Sequence, residues 1–409
     1  MQKTILAVCV SMSMLVLVSC GGGGGSGGGS TTPTGSKSGV LTDATVAGAA
    51  YTTSPSGLSG TTDANGVFTY NAGDTVQFKL GALVLGDATA SSLITPLELA
   101  NGNSDKLINL LVILQSLDAD GNPDNGISIP PAAAAAVTSA LDLNVAPGAL
   151  NTAALQAAMS AGGITAPIVS AAAAGEHFLG QGMKMLSDNV WVSRQPGKTS
   201  LLRVMPDGGY IFGSVGSATE QGVESGAASA QSFDTRGFHL SLTISVDALG
   251  DAATSGNLPC DRIRFAGDHL LFSEATTTDS GVTCTGDTVF DTFSKAENVP
   301  GGIVGVWTSG SSGIGEMQVA FFSDGKVFTV RDSVANASCG QPGVEFGSYT
   351  YNAATKNLVI TSITDTNGCD GIFDGTGAGE TQSGPFTINA DGTATVGSGD
   401  SPPLYRVSK

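Results

Sequence analysis

The chain is short of charge, of aromatic rings and, above all, of positive charge. Only 13% of its 409 residues are Asp, Glu, Lys or Arg, and 6% are Phe, Trp or Tyr. Lys and Arg number 17 against 35 Asp and Glu, a formal net charge of −18. That shortage excludes nucleic acid as a partner, because phosphates need a basic face. It excludes a polybasic membrane-surface patch for the same reason. No apolar run beyond the first twenty residues is long enough for a transmembrane helix. No C-x-x-C spacing occurs, which argues against a zinc site and against covalent c-type haem. There is no H-E-x-x-H, no P-loop, no dinucleotide fingerprint in a βαβ setting and no nucleophile elbow between a strand and a helix. What the chain has instead is glycine, 58 residues of it, and 41% hydrophobic residues. The second figure is enough for real cores, so the chain is not disordered overall. Gly-, Ser- and Thr-rich sequence with little charge fits an exported β protein.

The first twenty residues read as an export signal, with Lys3 as the positive start and an apolar stretch over 5–18. They end in Leu17-Val18-Ser19-Cys20, which resembles the lipobox of bacterial lipoproteins. The resemblance implies cleavage before Cys20 and a diacylglycerol on its thiol. Residues 21–30 are Gly and Ser only, and the polar stretch continues to 39, so 21–39 is expected to be a flexible tether. Gly21 stands where an inner-membrane lipoprotein often carries Asp, so the resemblance implies the outer membrane. Once Cys9 has left with the signal and Cys20 is acylated, four cysteines remain: Cys260, Cys284, Cys339 and Cys369. An even number in an exported chain points to disulfides, and four allow three connectivities. We favour Cys260–Cys284 and Cys339–Cys369, because each pair closes a loop within one repeat of the tail.

Residues 40–99 read as β: Val76, Phe78 and Leu80 alternate, and Leu83 and Leu85 follow in phase. The order Val46-Ala47-Gly48, Thr62-Asp63, Asn65-Gly66-Val67-Phe68 and Gly73-Asp74 resembles carboxypeptidase-regulatory-like β-sandwich modules, which implies a spacer or stability domain. Residues 100–186 switch to helical spacing. Leu107, Leu110, Leu111, Leu114 and Leu117 follow Ser104 as N-cap, and Pro131 opens a helix over 132–141. Two further helices are expected over 151–160 and 171–186.

Residues 187–299 and 300–409 form an internal repeat. Trp191 matches Trp307, Asp207-Gly208 matches Asp324-Gly325, and Gly222-Val223-Glu224 matches Gly343-Val344-Glu345. Each unit has room for about eight short strands. Gly305-Val306-Trp307 at the start and Arg406 at the end resemble lipocalin-like barrels, in which a basic side chain stacks on the indole and closes the barrel bottom. In the first unit Asn189 replaces the Gly, and Lys295 is the terminal basic residue. Another β-sandwich or propeller-like blades are the alternatives. The fold class is therefore multidomain and mainly β: a small sandwich, a helical insert, then two homologous antiparallel barrels or sandwiches.

The sharpest candidate for chemistry is the loop over 118–126, in which Asp118, Asp120, Asn122 and Asp124 alternate as the oxygen ligands of Ca²⁺ do. Pro123 replaces the turn glycine of an EF-hand and Ile129 its closing Glu, so a simpler Asp-x-Asp calcium loop is the reading. Asp324-Gly325 and residues 365–368 read as hairpin turns, and Glu224 and Glu345 as a shared structural pair. His177, on a helix, and His239 and His269, on strands, are the only histidines. The expected function is a lipid-anchored cell-envelope protein with a non-catalytic role in binding or adhesion, partnered by the bilayer and by a surface ligand or protein. Carriage of small apolar molecules inside the barrels, and extracellular hydrolysis, are the alternatives.

Overall fold

In a computed structural model the described residues are 35–216, 221–249, 256–257, 261–277, 284–310, 314–334, 338, 340–369, 371–372, 378–397 and 403–407. The lipobox-like segment Leu17-Val18-Ser19-Cys20, Cys260 and Cys339 lie outside them, as does the side chain of Cys284. The chain from Ser36 onward is one compact unit.

Eight strands build the first layer pair: β1 (Lys37–Leu41), β2 (Val46–Ala47), β3 (Ala50–Ser54), β4 (Ser59–Thr61), β5 (Val67–Tyr70), β6 (Thr75–Leu80), β7 (Leu83–Thr89) and β8 (Leu93–Ile94). Seven of them form one sheet of order β5-β1-β8 and another of order β4-β3-β6-β7, and β2 pairs outside both. Alternation on β6 and β7 sends Val76, Phe78, Leu80 and Leu85 into the core. The first strand begins at Lys37, inside the stretch whose composition reads as tether. Gly39 is a packing residue there: a Cβ on it would collide with the Phe68 ring and the Ser91 carbonyl.

The helices follow. Helix α1 (Pro96–Ala100) is started by a capping box of Thr95 and Glu98, which the leucine spacing does not reveal. Helix α2 (Ser104–Ser116) takes Asn103 rather than Ser104 as its N-cap, the Asn103 side-chain Oδ1 accepting from the Lys106 N–H. A short strand, β9 (Ile127–Ser128), then pairs in parallel with β2. Helix α3 (Pro131–Ala136) ends five residues before the expected stop, because Val137 is buried and its carbonyl accepts from the Ala82 N–H. Helices α4 (Thr152–Ala161) and α5 (Ala171–Ser187) are capped by Asn151 and Ser170. Among the described residues no helix is long and apolar enough to cross a membrane.

The tail is two barrels. The first uses β10 (Val190–Gln195), β11 (Lys198–Val204), β12 (Gly209–Val215), β13 (Gly222–Asp234), β14 (Gly237–Asp247), β16 (Asp261–Ala266), β17 (His269–Thr277) and β18 (Cys284–Lys295), with β15 (Gly256–Asn257) as an extra strand on β14. Each strand pairs antiparallel with its neighbour, and β10 with β18 closes the ring. The second uses β19 (Gly305–Thr308), β20 (Gln318–Phe321), β21 (Lys326–Arg331), β22 (Gly343–Asn352), β23 (Asn357–Asp365), β24 (Thr381–Ile388), β25 (Ala394–Val396) and β26 (Tyr405–Arg406). It is nearly closed: β26 pairs with β19, and one bridge, Ala394 to Leu404, joins the remaining gap. Barrels, rather than sandwiches or propeller blades, are how these eight-strand units remove their exposed edges.

Helix α5 docks on the first barrel. Phe178 packs against Phe233 and Phe238 with ring centroids 5.1 and 4.9 Å apart. One continuous core therefore runs from the sandwich through the helices into the first barrel. Gly182 allows the approach, since a Cβ there would stand 2.6 Å from the Phe238 ring. Gly182→Ala is expected to cost about 1–3 kcal/mol through overpacking, read as a lower urea midpoint at unchanged slope.

Candidate functional site

The repeat is visible as a row of residues crossing each barrel. In the first barrel, cross-strand pairing runs Lys295–Trp191–Leu202–Phe212–Glu224–Asp247. In the second it runs Arg406–Trp307–Val319–Thr329–Glu345–Asp365. Directly paired residues face the same side of a sheet. Both indoles are buried, and both donate to a carbonyl just upstream, Trp191 to Leu186 and Trp307 to Ile303. The Arg406 guanidinium lies 4.1 Å over the Trp307 ring and also donates to Asn298, Val304 and Gly302. Glu224 and Glu345 are buried: Glu224 accepts from the Tyr210 hydroxyl, and Glu345 from the Ile372 N–H. Asp247 and Asp365 are the acidic ends of the rows, a repeat that sequence matching missed because loops of unequal length separate them from the glutamates. Burial pushes the Asp365 carboxyl up from its ordinary value. Asp324-Gly325 forms a tight turn, as expected, whereas Asp365 opens a longer connection to β24 in which Gly368 pairs with Gly340.

The loop over 118–126 lies between α2 and β9, lashed to the sandwich by the β2–β9 pairing. Its carboxylates accept from the loop's own N–H groups. Asp118 takes Ser128 N at 2.8 Å and Asn122 N at 2.9 Å; Asp120 takes Asn122 N at 2.9 Å and the Asn125 amide at 3.0 Å. Burial raises the Asp118 carboxyl, and the neighbouring Asp120 adds to the rise against two backbone hydrogen bonds. Asp124 bonds instead to His177 Nδ1 at 3.0 Å, and His177 Nε2 reaches the Asp43 carbonyl at 2.7 Å. The three carboxylates among the four expected ligands thus hold the loop, through Asp118 and Asp120, and pin it to α5, through Asp124, while Asn122 takes part through its backbone N–H. Among the described residues no three His, Cys, Asp or Glu side chains gather as a metal-binding group.

Beside this latch, Asp43 and Gln115 are buried side by side. Gln115 donates to Asp43 Oδ2 at 3.0 Å, while Asp43 Oδ1 and Gln115 Oε1 have no partner among the described residues. Burial pushes the Asp43 carboxyl well up, which favours its neutral form. The other histidines stand elsewhere. His239 is 3.7 Å from Asp234, and His269 meets Ser294 Oγ across β17 and β18. Among the described residues no carboxylate bonds the His269 ring, so no Ser–His–Asp triad forms there.

A cleft of about 540 Å³ lies where the barrels meet. The outer faces of β10–β12 pack on those of β19–β21 through Leu201, Ile211, Val306, Ala320, Phe328 and Val330. Gly213 permits that contact, since a Cβ on it would strike Val330. Arg194 clasps one edge, 2.6 Å from Asp324 and 4.5 Å over the Phe322 ring. At the cleft, Arg203 of β11 reaches across to Gln318 of β20 at 2.7 Å. Sequence reasoning passed over Arg203; its only signal is a cation on an otherwise apolar strand, Leu201-Leu202-Arg203-Val204. No protein-family model and no curated protein matches the chain.

Proposed function

We propose that the chain is a lipid-anchored cell-envelope protein, held in the outer membrane by acylated Cys20 and presenting a non-catalytic binding or adhesion surface. One observation carries the reading: the lipobox-like Leu17-Val18-Ser19-Cys20 is followed at once by a run of Gly and Ser only, ahead of the compact unit Ser36–Lys409. A Gly/Ser composition over about 15 residues corresponds to a random-coil span of roughly 20 Å, the reach that a lipid tether needs. Binding on the outside is favoured over carriage within by the rings that occupy the barrels. Phe386 packs on Trp307 and Phe321 at 5.6 and 5.5 Å, and Phe293 packs on Phe272 at 5.2 Å. Binding is favoured over hydrolysis by the bonds that hold both ring nitrogens of His177 and by the Ser294 hydroxyl that meets His269. Export also goes with disulfides. What favours Cys339–Cys369 is the bridge between their chain neighbours Gly340 and Gly368, together with the disulfide-bonded state of Cys369.

The test is Cys20→Ala in cells. The variant is expected to leave the membrane fraction for the soluble one while keeping its fold. A variant that is still cleaved at the signal yet remains with the membrane would overturn the lipid anchor.

A further inference from the structure

We propose that the cleft between the barrels binds a small carboxylate with an apolar body, its carboxylate paired to Arg203. The inference goes beyond the reading above and does not depend on the anchor.

The argument starts from the guanidinium. Leu202 and Val204 point into the first barrel, so Arg203, between them, points out into the cleft. Its Nη1 is bonded to Gln318, while Nη2 and Nε have no protein partner among the described residues. These two nitrogens form the fork that matches a carboxylate edge-on. Burial works against the Arg203 charge, and the nearby Glu316 carboxylate offsets this only in part. The site thus holds a cation that is partly stripped of water and short of countercharge, which an anion would supply.

The other charges of the cleft are already committed. Lys295 pairs with Asp268 at 3.2 Å, Asp188 with Lys184 at 3.1 Å, and Glu297 accepts from both the N–H and the hydroxyl of Ser323. With one uncommitted cation and two carboxylates in the lining, the cleft suits a single negative charge and repels a phosphate dianion. Val190, Met205, Val306 and Val407 supply apolar wall for the rest of the ligand. The volume falls in the range of small-molecule sites, about 300–1,000 Å³.

The experiment uses the purified full chain in detergent and three probes of equal length: hexanoate, hexylammonium and hexanol. Calorimetric titration is expected to give hexanoate a Kd near the millimolar range, about what eight heavy atoms supply. Hexylammonium and hexanol are expected to bind at least tenfold more weakly. Arg203→Gln should weaken hexanoate at least tenfold. Because that change also removes the Gln318 bond, Ala296→Phe serves as a second variant: it plugs the cleft without touching the guanidinium, and is expected to abolish binding. Equal binding of hexanol and hexanoate, undiminished hexanoate binding in both variants, or no binding of hexanoate at all would each overturn the site. None of these outcomes bears on Cys20, so the anchor stands or falls by its own test.

Discussion

Trp307→Ala is expected to cost the second barrel about 3–5 kcal/mol, the range for deleting a large buried ring. The indole is fully buried. It meets Phe386 edge-on with centroids 5.6 Å apart, donates to the Ile303 carbonyl at 2.9 Å and carries the Arg406 guanidinium on its face at 4.1 Å. Removing it takes out the centre of that packing and frees Arg406 from its platform. It also acts where closure is thinnest, because β25 and the last strand are joined by a single bridge. The companion is Arg406→Met, which keeps a stem of similar length and deletes the charge. Its loss should be smaller, about 1–3 kcal/mol, from the cation–π contact and the bonds to Asn298 and to two carbonyls. Urea unfolding followed by near-ultraviolet circular dichroism reads both. An Arg406→Met loss as large as that of Trp307→Ala would mean that the cation, not the ring, closes the barrel.

Asp234→Asn is expected to remove roughly 1.5–3 kcal/mol at neutral pH and to flatten the acid limb of the stability curve. Asp234 sits at the β13–β14 hairpin. It accepts from the Arg236 N–H at 2.7 Å and the Arg236 guanidinium at 2.9 Å, and from Arg262 Nε at 3.3 Å. The Arg262 side chain is only 1% exposed, so losing a charged partner there leaves a buried cation less compensated. Burial raises the Asp234 carboxyl. The bonds from His239 and Arg236 and the charge of Arg262 outweigh it and hold the carboxyl well below the usual carboxylate range. The sign follows from linkage. A depressed folded-state value stabilises the fold above the unfolded value, near 3.9, and that contribution is lost as pH falls toward the folded one. Wild type should therefore lose stability between about pH 5 and pH 2 more steeply than Asp234→Asn. Because the Asp234 carboxylate is about one-third exposed, salt should shrink the difference. Parallel acid slopes for the two proteins would rule the network out as the source.

The mainly β class, the helical insert and the doubled tail were legible in the sequence, because each is written in short-range pattern. Alternation along Val76, Phe78 and Leu80 marks a half-buried strand, leucines at helical spacing mark α2, and matched Trp and Asp-Gly positions mark the repeat. Local signals stop where a neighbour adds its own contacts. Gly39 looks like linker until the Phe68 ring fills the space its missing Cβ leaves. Asp118 and Asp120 stand at the alternate spacing of cation ligands, while the backbone N–H groups that their oxygens accept from are seen only in the fold.

What only the tertiary structure decided are the contacts made between residues far apart in the chain. Arg203 and Gln318 are 115 residues apart, and Arg264 and Glu98, which tie the first barrel to helix α1, are 166 apart. Barrel closure, the six-residue rows and the cleft all depend on such pairs. Their reason is geometric: strand periodicity says which side chains share a face, but only closing the sheet says which face meets which. A cation such as Arg203 reads as an ordinary surface residue until a second barrel covers part of the face it stands on.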